Sequence, residues 1–256
     1  MRRIRCIVEY EGTAYVGWQV QPNGVSVQQR LNEALYRITG ESIQAHGSGR
    51  TDSGVHARVQ VLHFDTEARM PAEKFAVAMN MLLPRDIRVL YSEETDGAFH
   101  ARFSAKEKSY RYTLQLGPHA RVFTRNTALH VYVPLDFAAM QAAAMDCVGK
   151  HDFAAFMSAG SAMENTVRTI LSSAWTREGD YWHYDVTGTG FLYNMVRILA
   201  GTMLEIGEGK RGASAVATAL ETRVRSDAGA TAPPHGLTLM RVRYPDFDTD
   251  EVLGQL

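Results

Sequence analysis

The residues of this chain whose types and spacing best suit chemistry lie in Gly47-Ser48-Gly49-Arg50-Thr51-Asp52-Ser53-Gly54-Val55-His56-Ala57. Asp52 stands on a glycine-flanked stretch with Arg50 two residues before it and His56 and Arg58 close behind. A catalytic acid, base or nucleophile wants that setting: accessible, yet kept ionised by nearby cations that lower a carboxyl pKa. The same residues also read as a plain tight hairpin, because glycine and small polar residues supply turn geometry. Three other chemistries fail on spacing. A Walker loop needs Gly-Lys-Ser/Thr, and Val55 follows Gly54; a dinucleotide fingerprint needs glycine where Asp52 stands, with a helix directly after. A nucleophile elbow centred on Ser53 needs glycine where Thr51 stands.

Two other segments combine charge with apolar surroundings. Gly190-Phe191-Leu192-Tyr193-Asn194-Met195-Val196-Arg197 opens a strongly apolar helical pattern in which Arg197 is anomalous. A guanidinium there either snorkels to solvent or pairs with a carboxylate, since an unpaired buried charge is costly. In Lys106-Glu107-Lys108-Ser109-Tyr110-Arg111-Tyr112, strand alternation sends Lys106, Lys108, Tyr110 and Tyr112 to one side. Cations interleaved with aromatics suit phosphates and stacked bases, and a half-exposed sheet face with Tyr110 in the core explains the pattern equally well. The segments Trp18-Gln19-Val20-Gln21 and Phe99-His100-Ala101-Arg102-Phe103-Ser104 either line a cleft or form packed turns.

The elements that must position these residues follow from periodicity. Ile4, Cys6, Val8 and Tyr10 alternate on a half-buried strand over 3–10. Ser26 with Gln29 forms a capping-box pattern before Leu31, Leu35 and Ile38, and Gly40 closes that helix. Strands over 42–46 and 59–66 bracket the Asp52 loop, a helix begins at Pro71 and runs to about 82, and a strand covers 87–92. The later residues repeat the order: strand 108–116, helix 136–148, strands 167–176 and 181–187, helix 191–206 and strand 237–244. Two split β-α-β halves are implied, 1–105 with the Asp52 loop and 106–256 with Tyr110 and Arg197. Joined most economically, they make an α+β fold with one mixed, largely antiparallel sheet and a central cleft. Residues 209–234, with a short helix over 213–222, read as an insertion, and the acidic tail 246–251 reads as solvated.

Bulk properties narrow the function classes. The 256 residues suffice for one large or two modest cores. Cys6 and Cys147 are the two cysteines, which leaves no disulfide framework and no thiolate zinc site. The nine histidines lack metal-ligand spacing. No apolar run is long enough to span a bilayer or to act as a secretion signal, so a cytoplasmic location is expected. The formal net charge of -1 argues against a generic polyanion binder. Residues 1–130, however, hold 17 Lys and Arg against 13 Asp and Glu, while 131–256 hold 10 against 15. That asymmetry permits a basic face, and ordinary fluctuation accounts for it as well.

The loop Gly49-Arg50-Thr51-Asp52-Ser53-Gly54-Val55-His56-Ala57 closely resembles the catalytic motif of the tRNA pseudouridine synthase A family. Further resemblances follow in order along the chain: Tyr15-x-Gly17-Trp18-Gln19, Leu83-Pro84-x-Asp86-Ile87, Phe99-His100-Ala101-Arg102-Phe103-Ser104-Ala105, Tyr110-Arg111-Tyr112, His151-Asp152-Phe153, the 190–197 segment, and Pro233-Pro234-x-Gly236-Leu237. Ser53, where alanine is common, and Arg58-Val59, where a small or glycine-containing pair is more usual, depart from the pattern.

The resemblance implies the pseudouridine synthase fold and isomerisation of uridine to pseudouridine at positions 38, 39 and 40 of the tRNA anticodon stem-loop, without cofactor or metal. It implies Asp52 as the essential carboxylate, either attacking C1′ of the ribose or taking the 2′ proton on the way to a glycal. It implies Arg197 as the partner of Asp52, and Tyr110 against the target uracil as the candidate acceptor of the C5 proton. Arg50 and Arg58 are the nearby groups expected to hold the displaced RNA backbone, and a homodimer is expected to share the tRNA between subunits. Two rivals carry different expectations. A non-catalytic RNA-binding module calls for the Lys/Arg-Gly-Phe/Tyr-Gly/Ala-Phe signature, which is absent, and a nucleoside glycosidase calls for a second catalytic carboxylate near Asp52.

Overall fold

The computed structural model describes residues 1–158 and 165–254. Its elements in chain order are β1 (Arg2–Tyr10), α1 (Val27–Thr39), β2 (His46–Gly47), β3 (His56–Thr66), α2 (Lys74–Asn80), β4 (Ile87–Thr95), β5 (Glu107–Leu116), β6 (Leu129–Val131), α3 (Phe137–Met145), β7 (Gly149–Asp152), β8 (Val167–Glu178), β9 (Tyr181–Gly188), α4 (Met195–Gly207), α5 (Ala215–Thr222), β10 (Leu237–Arg243) and α6 (Thr249–Leu253). The chain is α+β and divides into two compact units, Met1–Glu107 with Leu239–Leu256, and Lys108–Thr238. The sequence division at 105/106 leaves the C-terminal segment with the second half, whereas the structure groups it with the first.

In the first unit the strand order is β4-β1-β3-β10, with β2 also paired to β3. Strand β1 runs antiparallel to both β3 and β4, the arrangement a split β-α-β unit produces. Helix α1 starts and stops where its sequence says. Ser26 Oγ accepts from Gln29 N at 3.2 Å, and Gly40 closes the helix at φ 76°. The Gln29 side chain reaches forward to Glu33, so this half of the capping box is not made.

Three expectations are corrected here. The strand over 42–46 shrinks to His46–Gly47 because side chains of α1 take its backbone groups. Asn32 Oδ1 accepts from Ala45 N at 2.9 Å, and Gln28 Nε2 donates to Ala45 O at 2.8 Å. The helix from Pro71 becomes regular only at Lys74, after i+3 turns at Pro71 and Ala72. Strand β1 is buried on both faces over residues 4–8 rather than on one.

The second face of β1 is covered by the tail that the sequence left to solvent. Arg5 is buried, with its guanidinium 3.8 Å from the Phe247 ring centroid and 4.8 Å from that of Phe99. Phe247, Asp248 and Thr249 are buried too. Asp248 caps α6 and pairs with Arg241, Nε to Oδ1 at 3.0 Å. An acidic run thus becomes a satisfied anchor, because its carboxylate found both a helix N-terminus and an arginine.

The second unit has strand order β5-β9-β8-β7, antiparallel throughout, with short β6 pairing parallel to β5. Strands β6 and β7 carry too few residues to show a period, and the sequence reading omits them. Helix α4 begins at Met195, four residues later than expected, because Asn194 adopts φ 61° and ends the preceding turn. The expected insertion is strapped to α4. Thr202 Oγ1 accepts from Gly229 N at 2.8 Å, Glu205 accepts from Ala230 N at 2.9 Å, and a Cβ on Gly201 would lie 1.9 Å from Ala230 O. No described helix is long and apolar enough to cross a membrane.

Candidate active site

Asp52 is half-buried in the loop between β2 and β3. Its carbonyl accepts from Val55 N at 3.1 Å, closing a four-residue turn in which Gly54 takes φ 77°, a conformation that glycine adopts without penalty. The turn is clamped by residues 10–18. Trp18 N donates to Thr51 O at 3.1 Å, Gly54 N to Tyr15 O at 3.3 Å, and Ser53 Oγ to the same Tyr15 carbonyl at 3.2 Å. Tyr10 OH lies 2.7 Å from Thr51 Oγ1, both buried. Close approach makes glycine compulsory at two points. A Cβ on Gly17, at φ +104°, would sit 2.5 Å from Thr51 O, and one on Gly12 would sit 2.0 Å from Val55 O.

The clamp is itself fastened. Gly17 and Trp18 carbonyls accept from Val27 N and Gln28 N in the first turn of α1, at 3.1 and 3.0 Å, satisfying donors that a helix start leaves open. Tyr15 OH donates to Asp86 Oδ1 at 2.7 Å. On the other flank Gln60, fully buried, accepts from Ser48 Oγ at 2.6 Å and donates to Gly49 O at 2.9 Å. The backbone around Asp52 is therefore fixed from three sides, which gives a half-buried carboxylate a defined place to act on a substrate.

His56 is buried, and its Nδ1 accepts from Gly12 N at 2.8 Å. That bond engages the Nδ1 lone pair as an acceptor, with Glu11 Oε1 3.9 Å from the same nitrogen. Arg50 and Arg58 are exposed, and among the described residues neither makes a hydrogen bond or ion pair, which leaves both guanidinium groups for an external anion.

Tyr110 and Arg197 belong to the second unit. Tyr110 pairs with Val186 in the β5–β9 ladder and is 9% exposed, edge-on to Phe191 with centroids 5.1 Å apart. Its neighbour on that side, Tyr112, is fully buried, donates to Pro233 O at 2.9 Å, and packs its ring where a Cβ on Gly236 would fall. Burial pushes the Tyr112 phenol up, with the Arg197 charge opposing. Along the alternating Lys–Tyr stripe Tyr112 is therefore core, while Lys106 at the far end is exposed. Arg197 is half-buried. It donates from Nε to Ala232 O and from one terminal nitrogen to Asn194 Oδ1, both at 2.8 Å, so packing and hydrogen bonds hold the guanidinium rather than free snorkelling.

Sequence reading did not find Tyr10, Gln60 or His56 as supports of the loop. Gln60, a polar residue at an inward position of β3, was the available signal, since a buried amide must be hydrogen-bonded. Cys6 and Cys147 are buried thiols, and burial pushes Cys147 up to about 12, so it is an inert packing residue. Among the described residues no group of three His, Cys, Asp or Glu side chains could hold a metal ion.

Comparison with known proteins places these residues in context. The model of a family described as tRNA pseudouridine synthase matches residues 6–104 and 143–245, which include Asp52 and Arg197 but not Tyr110. A protein named tRNA pseudouridine synthase A from Brevibacillus brevis is 48% identical over 244 residues, covering 95% of this chain and 100% of that protein. One of the same name from Halalkalibacterium halodurans is 50% identical over 238 residues, covering 93% and 90%. Among solved structures, a crystal structure of a Cbf5-Nop10-Gar1 complex aligns with 96% of this chain and 50% of that chain at TM-score 0.40 and 13% identity.

Proposed function

This chain belongs to the tRNA pseudouridine synthase family, and from that membership we propose that it isomerises uridine to pseudouridine at positions 38, 39 and 40 of the tRNA anticodon stem-loop. The observation that carries the reading is the near full-length identity to tRNA pseudouridine synthase A proteins together with a carboxylate on a loop clamped by buried hydrogen bonds.

In this reaction the N1–C1′ bond breaks, the uracil turns, C5 bonds to C1′, and the C5 proton leaves while N1 regains one. The balance requires no oxidant and no cofactor. Asp52 is the essential carboxylate, acting either at C1′ or on the 2′ proton, and Arg197 is the cation that keeps it ionised. Tyr110 lies against the uracil, and its phenol is the candidate acceptor of the C5 proton. Because the target is stacked or paired, it must be flipped out at a cost of about a few kcal/mol. Arg50 and Arg58 offset part of that cost by holding the displaced backbone. The exposure of both arginines supports that role. The enzyme works as a homodimer in the cytoplasm, where a near-neutral subunit gains phosphate contacts from its partner.

The test is release of tritium from C5-labelled uridine in tRNA transcripts, comparing uridine with cytidine at positions 38–40. Release that disappears with the cytidine transcripts is expected. No release from the uridine transcripts overturns the activity, and equal release from both overturns the positions.

A further inference from the structure

Phe103 is 75% exposed. A single exposed apolar ring is ordinary, but this one ends a ladder. Its centroid is 4.3 Å from that of His100, which is 4.6 Å from His63; His63 in turn stacks on His46 at 5.1 Å and meets the edge of Phe99 at 6.1 Å. The inner rungs, His63 and Phe99, are buried. A solvent-facing ring is therefore backed by rings down to the core of the first unit.

The backbone beneath Phe103 is fixed. His100 Nδ1 accepts from the N–H groups of Arg102 and Phe103 at 3.1 and 3.4 Å, while His100 N donates to Ser104 Oγ at 3.0 Å and Ser104 N to His100 O at 2.9 Å. Ala101 is held from both sides, its N–H donating to His63 Nδ1 at 3.2 Å and its carbonyl accepting from Tyr244 OH at 2.7 Å. A ring on so fixed a turn loses little freedom when a partner stacks on it.

Charge selects the partner. Exposed Arg102 has its guanidinium 5.7 Å from the Phe103 centroid. The nearby acid, Asp65, is already forked by Arg3 at 2.7 Å on both oxygens, so it does not face outward unneutralised. Burial, with the neighbouring positive charges, pushes His63 down to about 4 and lowers His100, which keeps the two rungs directly behind Phe103 uncharged at neutral pH. One flat apolar face with a cation beside it fits a nucleobase and its phosphate better than a protein surface, which wants a broader apolar patch.

We propose that the turn over residues 100–104 is an RNA-docking platform, with Phe103 stacking on an unpaired base of the substrate and Arg102 taking an adjacent phosphate. The proposal rests on tRNA being the substrate. Phe103→Ala is expected to weaken tRNA binding about 5- to 100-fold, with turnover at saturating tRNA kept, while Phe103→Tyr retains affinity. Arg102→Gln is expected to lower the slope of log affinity against log salt by about one. In the Phe103→Trp variant, fluorescence should quench on adding tRNA.

Unchanged affinity in Phe103→Ala overturns the proposal, as does a loss of turnover with affinity intact. Loss of self-association in the ultracentrifuge without loss of RNA affinity overturns it too, by making the ring a contact between copies of this chain. The two readings fail separately. A wild-type protein that releases no tritium sinks the activity, whereas RNA quenching of the Phe103→Trp variant in excess of that of the wild type, which holds Trp18, Trp175 and Trp182, reports the contact alone.

Discussion

Gly17→Ala tests whether the clamp over the Asp52 loop sets activity. Gly17 holds φ +104°, and the new methyl would fall 2.5 Å from Thr51 O, 3.1 Å from Asp52 C and 3.2 Å from Ser53 N, all backbone atoms that cannot swing aside. The positive φ costs about 1–3 kcal/mol and the overpacking about 1–3 kcal/mol more. The sum of about 2–6 kcal/mol lowers Tm by about 4–24 °C for a chain of this size. The lower end is reached only if residues 51–53 retreat, and a retreat of about 1 Å at a reacting group costs about 100-fold in turnover. Gly40→Ala is the control. It also has positive φ, at +76°, but nothing lies within 4 Å of the new methyl, so it should lose only the left-handed penalty of about 1–2 kcal/mol and keep wild-type turnover. Thermal melting and C5-tritium release, measured on both variants, read the two effects. A folded Gly17→Ala with wild-type kcat, or an equal loss in Gly40→Ala, refutes the reasoning.

Gln60→Leu strips partners from Ser48 Oγ and Gly49 O in a buried site and should destabilise the fold by about 2–4 kcal/mol in urea titration; a change under 1 kcal/mol, to within about the usual mutational scatter, would remove Gln60 from the clamp. Arg197→Met should lower kcat far more than tRNA affinity, and a fall in affinity alone would make Arg197 a phosphate contact instead. His63 takes a proton near pH 6.5 when unfolded and only near 4 when folded. Within that window the unfolded chain binds more protons, so stability is full above 6.5 and falls as pH drops towards 4, by on the order of 3 kcal/mol in total. Urea midpoints across that range should show the slope and lose part of it in His63→Gln; a flat profile for the wild type contradicts the depressed pKa.

Local signals carried well where local forces decide. Ser26 and Gly40 bound α1 because a cap and a left-handed glycine act within one turn, and the strand expected over 59–66, which carries Gln60, lies within β3. What failed depended on residues distant in sequence. The strand over 42–46 dissolved because Gln28 and Asn32, on α1, took the hydrogen bonds of Ala45. The half-buried strand over 3–10 and the solvated tail over 246–251 failed for one shared reason: Phe247 folds back over Arg5, so the surface of each exists only in the presence of the other. At the candidate site, Asp52 was legible as a carboxylate among glycines, and the family motif singled it out. Its supports were not. Tyr10 looks like an ordinary strand residue until its hydroxyl is found on Thr51, and His56 counts as a cation in sequence but is buried in the fold, where it accepts from Gly12 N.

The most direct test of the account is C5-tritium release from uridine-containing tRNA by Asp52→Asn. The substitution keeps the shape of the side chain and leaves the backbone clamp untouched, so folding and tRNA affinity should match wild type. Tritium release should vanish. Release at the wild-type rate from a folded Asp52→Asn protein would contradict the claim that this carboxylate carries the reaction.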